Sequence, residues 1–173
     1  MKKKNIVLYN VIFPIWLMVL FPPILIPVLI GNFIVDSLVV LITMKILKVE
    51  NIFKNYRSSI LGVWGYGFLS DIIGGLGLFA TMFISLPKES KFSKFFDNFQ
   101  LGIYGSPFSN IFSFIYIVIC MIIASTFIYI FNKKITLRKT TLNEREKKIV
   151  AIALAIITSP YLFLLPMDFF YNW

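Results

Sequence analysis

Apolar residues in this chain come in long unbroken runs, separated by short stretches that gather the charges. About 20 consecutive apolar residues carry a helix across a bilayer, and only helices or closed barrels satisfy their own backbone polar groups there. The alternating ten-residue segments of a membrane barrel are missing, so the runs predict helices. Five spans are expected, over about 5–21, 27–47, 58–86, 110–131 and 148–166. The predicted fold class is all-α, a polytopic transmembrane helix bundle forming a single integral membrane domain over 1–173.

Local signals refine this pattern. Pro14 should kink the first span, Pro22 and Pro23 should end it, and Pro27 suits the first turn of the second. Pro160 should bend the fifth. In KESKFSKFFDNFQ the side chains of Phe92, Phe95, Phe96 and Phe99 fall on one helical face, which predicts an amphipathic helix at about 90–100. It would lie on the outer membrane surface or pack as a lid on the bundle. TLNE at 141–144 matches a capping box, with Thr141 as cap and Glu144 reaching back. The basic start MKKK before an apolar run resembles a signal peptide, but no small-x-small cleavage site follows, so an uncleaved first span is expected.

Composition agrees with the pattern. The chain has 173 residues, 58% hydrophobic and 17% aromatic, with mean hydropathy +0.84, well above the apolar share of water-soluble domains. The net charge of +9 does not point to nucleic acid, because the cations flank the apolar runs. Lys2, Lys3 and Lys4, then Lys45, Lys48, Lys54 and Arg57, then the seven cations from Lys133 to Lys148 fall on one side, leaving Lys88, Lys91 and Lys94 of the 17 on the other. The positive-inside rule then puts the N-terminus in the cytoplasm and the C-terminus outside, in a cell inner (cytoplasmic) membrane. The tail MDFFYNW reads as an aromatic anchor at the outer interface. Lys133, Lys134, Arg138 and Lys139 are expected to contact anionic lipid headgroups.

Two acids interrupt the apolar runs. Asp36 lies about 13 Å along its helix from Lys45, and Asp71 about 16 Å from Ile60, so both are expected near the bilayer midplane. An acid at that depth costs about 2.5 to 3.5 kcal/mol on insertion scales and must face the bundle interior or a water pocket. Asn32, Asp36 and Thr43 share one stripe of the second span. Gly67, Asp71 and Gly75 share one of the third, with Tyr66, Ser70 and Gly74 beside it. Small residues at this spacing let helices approach closely. The expectation is a polar seam of Asn32, Asp36, Tyr66, Ser70 and Asp71, in which at least one acid is protonated at neutral pH or the two share a proton or a bound cation.

Several chemistries lack candidates. With no histidine and a single cysteine, Cys120, there is no basis for an internal disulfide, a thiolate zinc site or histidine catalysis; no metal site and no cofactor are expected. Intramembrane aspartyl proteases carry Tyr-Asp on one helix and Gly-x-Gly-Asp on the next. Here the positions read Val35-Asp36 and Gly65-Tyr66-Gly67-Phe68-Leu69-Ser70-Asp71, which break both signatures. The functional expectation is a small non-enzymatic integral membrane protein, an accessory or interaction subunit of a membrane complex. The alternative is a small ion- or proton-coupled transporter or channel-like protein using Asp36 and Asp71. Expected partners are membrane lipids and either another membrane protein or a second copy of the chain as a homo-oligomer; nucleic acid is not expected.

Overall fold

The computed structural model describes residues 22–87 and 92–166. The first expected span with Pro14, the basic start and the aromatic tail beyond 166 lie outside the described residues. Five helices follow in order: α1 (Pro22–Ile46), α2 (Ile52–Ala80), α3 (Ser93–Tyr104), α4 (Ile111–Phe131) and α5 (Glu144–Ile157). No strand occurs among the described residues. Among the described residues, four stretches are long and apolar enough to cross a membrane: Leu25–Ile46, Ile52–Phe83, Ile111–Lys139 and Glu144–Leu164. They mark the chain as a multi-pass membrane protein.

Helix boundaries depart from the sequence pattern where local rules compete. α1 starts at Pro22, so Pro22 and Pro23 open it and Pro27 lies inside it. Prolines at a helix start forfeit nothing, because the first four N–H groups have no partner in the helix. α2 starts at Ile52, six residues before the apolar run at 58. Its 29 residues extend about 44 Å, more than a hydrocarbon layer of about 30 Å, and Lys54 and Arg57 occupy the overhang. The α1–α2 turn is tight, with Lys48 and Asn51 at φ 55° and 52°.

The expected cap at Thr141 moves to Asn143. The Asn143 side chain accepts from the Glu146 amide at 2.9 Å, and Glu146 Oε2 accepts from the Asn143 amide at 2.8 Å. Thr141 is committed elsewhere: its amide and hydroxyl both donate to Asn55 Oδ1 on α2, at 2.9 and 3.0 Å. α5 then ends at Ile157, and beyond Pro160 the chain continues as a 3-10 turn, Tyr161–Leu164. At the end of α4 the helix widens into a π turn, Asn132–Thr136, and tightens into a 3-10 turn, Leu137–Lys139.

Lipid tails are as apolar as leucine, so close packing and hydrogen bonds between helices hold such a bundle. Among the membrane-spanning helices, α2 and α4 approach closely. A Cβ on Gly74 would stand 2.8 Å from Ala124 Cβ and 3.0 Å from the Cys120 carbonyl, and one on Gly77 would stand 2.9 Å from Cys120 Sγ. Tyr116 on α4 donates to the Gly77 carbonyl at 2.7 Å. α1 is tied to α2 by Trp64 Nε1 donating to the Leu29 carbonyl at 2.9 Å and Tyr56 donating to Ser37 Oγ at 3.0 Å. Two apolar clusters result. One joins Val40, Met44, Val63, Ile128, Val150 and Leu154 across α1, α2, α4 and α5. The other joins Leu78, Ile103, Ile117, Cys120, Met121 and Phe163.

α3 is docked on the bundle. Ser113 Oγ donates to the Phe99 carbonyl at 2.8 Å, and a Cβ on Gly102 would stand 2.6 Å from Ser113 Cβ. Phe95 and Phe99 stack edge-on against Phe112 and Tyr116, while Phe92 stays 70% exposed. Gln100 Nε2 donates to the carbonyls of Thr81 and Ile84, and the hydroxyls of Thr81 and Tyr104 hydrogen-bond, so α3 also closes the end of α2.

These contacts separate the glycines. Gly74→Ala should lower the thermal stability of the purified protein by roughly 1–3 kcal/mol, since it overpacks against backbone. Gly65→Ala, with no described residue within 4 Å of the added Cβ, should be neutral or raise stability by about 1 kcal/mol through helix propensity. Thermal unfolding of the two variants in one detergent checks the difference.

Candidate functional site

α1 and α2 run antiparallel from their short turn, and beyond Trp64 the described residues leave a cavity between them. Asp36 projects from α1 and is 4% exposed. On α2, Gly67 leaves room for it: a Cβ there would stand 3.6 Å from Asp36 Oδ2. Asp71 comes one turn further along α2, near enough to Asp36 for the two carboxyls to repel one another when both are ionised. Its Oδ1 is buried and has no hydrogen-bond partner among the described residues.

The third wall comes from the end of α5. Pro160 has no N–H and cannot continue the helix, so the chain unwinds over Thr158–Pro160 and returns as the 3-10 turn. Thr158 comes beside Asp36 while its hydroxyl donates to the Leu154 carbonyl at 2.8 Å. Ser159 Oγ is held by Ser125 of α4 at 2.8 Å. α1, α2 and this turn enclose a cavity of about 600 Å³, whose polar lining includes Asn32, Asp36, Asp71, Thr158 and Ser159. The remaining wall is largely apolar, with Phe68, Phe79 and Phe163 prominent.

Of the five residues expected in the seam, Asn32, Asp36 and Asp71 border this cavity and Tyr66 and Ser70 do not. Successive helical residues are about 100° apart, so Tyr66 and Ser70 turn toward the packed side. The Tyr66 ring lies 5.4 Å from that of Phe131, and Ser70, fully buried, donates to the Tyr66 carbonyl at 2.7 Å. The glycines also divide. Gly67 and Gly75 border the cavity, whereas Gly74 and Gly77 bring α2 onto α4 rather than onto α1. Thr158, Ser159 and Phe163 were not singled out from the sequence; the only pointer to them was Pro160 interrupting the last apolar run. Of the cations expected at lipid headgroups, Lys133, Lys134 and Arg138 border a second groove together with Glu144 and Lys147, and Lys139 stands outside it.

A cavity of this size falls within the range of small-molecule sites, which are mostly apolar with a few placed polar groups. Two carboxyls in an apolar wall suit a positive charge attached to an apolar body, or an exchangeable proton. Among the described residues no third Asp, Glu, Cys or His joins them to complete a metal-ligand set. The chain matches no protein-family model, and no curated protein or solved structure is significantly similar to it.

An unpartnered buried carboxyl oxygen costs stability, in contrast to a hydrogen-bonded staple. Asp71→Leu should therefore raise the unfolding free energy by roughly 1–3 kcal/mol. A fall in melting temperature of this variant would instead identify Asp71 as a packing element.

Proposed function

We propose that this chain is a small non-enzymatic membrane carrier or channel-like protein whose binding site is the cavity between α1, α2 and the turn after α5, with Asp36 and Asp71 as its charge-bearing groups. One observation carries this reading: both acids border the same open cavity, and Asp71 Oδ1 there lacks any partner among the described residues. In an accessory subunit held together by a polar seam, the carboxyls would be hydrogen-bonded across a closed helix gap. Here the close gap is on the other side of α2, at Gly74 and Gly77. Charged groups at membrane depth are expensive and mark substrate or proton pathways when they face a cavity. The ligand is a cation with an apolar body, exchanging with protons on the acids.

The orientation belongs to the same proposal. The turn carrying Lys45, Lys48, Lys54 and Arg57 and the segment from Lys133 to Lys148 face the cytoplasm, and the α3 side faces outward in the inner membrane.

Two measurements test these statements. Tetraphenylphosphonium, a permanent cation in an apolar shell, should bind the detergent-purified protein, and Asp36→Asn with Asp71→Asn should weaken it roughly 10- to 100-fold, the scale of lost charge-assisted contacts. The same double variant should abolish cation-driven proton release from proteoliposomes while keeping its size-exclusion profile; unchanged binding and flux would return the acids to a packing role. For sidedness, a cysteine replacing Lys94 should react with an impermeant maleimide added outside intact cells. A cysteine replacing Lys139 should react only after lysis, against a silent background because Cys120 is buried.

A further inference from the structure

The second groove lies where α4 leaves its apolar run. Lys133 and Lys134 stand in the π turn, Arg138 in the 3-10 turn after it, and Lys147 in the first turn of α5. The chain reversal at 140–143 brings them around one groove of about 400 Å³, with Glu144 beside them. That reversal is fixed in place: Asn55 grips Thr141 by its amide and hydroxyl, and the Asn143–Glu146 capping box starts α5 directly afterwards.

The charge in this groove is not balanced by the protein. Lys147 pairs with Glu144 at 3.0 Å, the single salt bridge among the described residues. Lys133 stands over the Tyr129 ring at 5.6 Å, and Lys134 and Arg138 have no carboxylate partner among the described residues. Four cations therefore share one acid. A topology signal needs only a count of cations near a span end; it does not need cations from three consecutive elements folded around one space.

The chemistry favours a phosphate. Arg138 offers a planar fork suited to two oxygens, and the lysines are compact charges that can approach the others from different sides. The position favours a lipid, because the groove opens immediately beyond Phe131, where an apolar run gives way to the headgroup layer. We infer that Lys133, Lys134, Arg138 and Lys147 form a binding site for the phosphate of an anionic phospholipid headgroup. Glu144 holds Lys147 in place at its edge. Lys139 and Lys148 carry the same charge nearby and take no part in the groove.

Those two lysines supply the control. The full chain in detergent would be titrated with dioctanoyl phosphatidylglycerol, with dioctanoylglycerol lacking the phosphate, and with inorganic phosphate, reading affinity from the shift in thermal unfolding. Phosphatidylglycerol should bind and dioctanoylglycerol should not. Lys134→Gln with Arg138→Gln should weaken the lipid roughly 30-fold, at about a fivefold effect per cation near a membrane surface. Lys139→Gln with Lys148→Gln, an equal change in net charge, should weaken it no more than about threefold, as expected of a screened distant charge. Lys134→Arg should retain the affinity, showing that the loss follows the charge and not a failure to fold. Equal weakening by both pairs overturns the site in favour of diffuse attraction. Equal binding by dioctanoylglycerol overturns the phosphate, and inorganic phosphate acting alone as strongly as the lipid overturns the membrane source.

Discussion

The contact on which the rest of this bundle depends is the approach of α2 to α4 at Gly74 and Gly77. Cys120 and Ala124 fill the space that side chains at those positions would take. Without a solvent-driven force between helices in lipid, such close packing fixes how α2 is rotated about its axis. Once Gly74 faces α4, Asp71 and Gly75, one to three residues away, are turned toward the side shared with α1. The same rotation puts Gly67 opposite Asp36. A single packing choice thus determines that the acids face protein, and that they face a gap.

The gap persists because α5 stops early. A helix continuing from Ile157 would lie along α1 and α2, whereas Pro160 redirects the chain into a short turn that closes the far wall with Phe163. Burial of Phe163 in the second apolar cluster holds the turn against Leu78 and Met121. Polar groups at membrane depth are then satisfied locally, Thr158 by the Leu154 carbonyl and Ser159 by Ser125. Asp71 Oδ1 in the same wall has no partner among the described residues, and an unsatisfied buried group bordering a cavity points to function.

Much of this was legible in the pattern of residues. Continuous apolar runs signal membrane helices with little ambiguity, and the expense of an acid in lipid singles out Asp36 and Asp71 from the sequence alone. Periodicity also placed Asn32 with Asp36 and Gly67 with Asp71. What it could not supply was the choice of partner: small residues at spacing four permit a close approach without saying to which helix, and α2 has two such faces. Thr158 and Ser159 were illegible because turn residues after a proline carry no periodic signature. The cap moved from Thr141 to Asn143 for a similar reason, since Thr141 is claimed by Asn55, a contact between residues far apart in the chain.

That contact has an implication for biogenesis. Asn55 is 1% exposed, and its amide oxygen is served wholly by Thr141, a residue synthesised 86 positions later. While the earlier helices enter the membrane, this oxygen has no protein partner, so their arrangement stays provisional. Once Thr141 arrives, this oxygen exchanges water for a protein partner, and the first turn of α2 becomes tied to the segment that leads into α5.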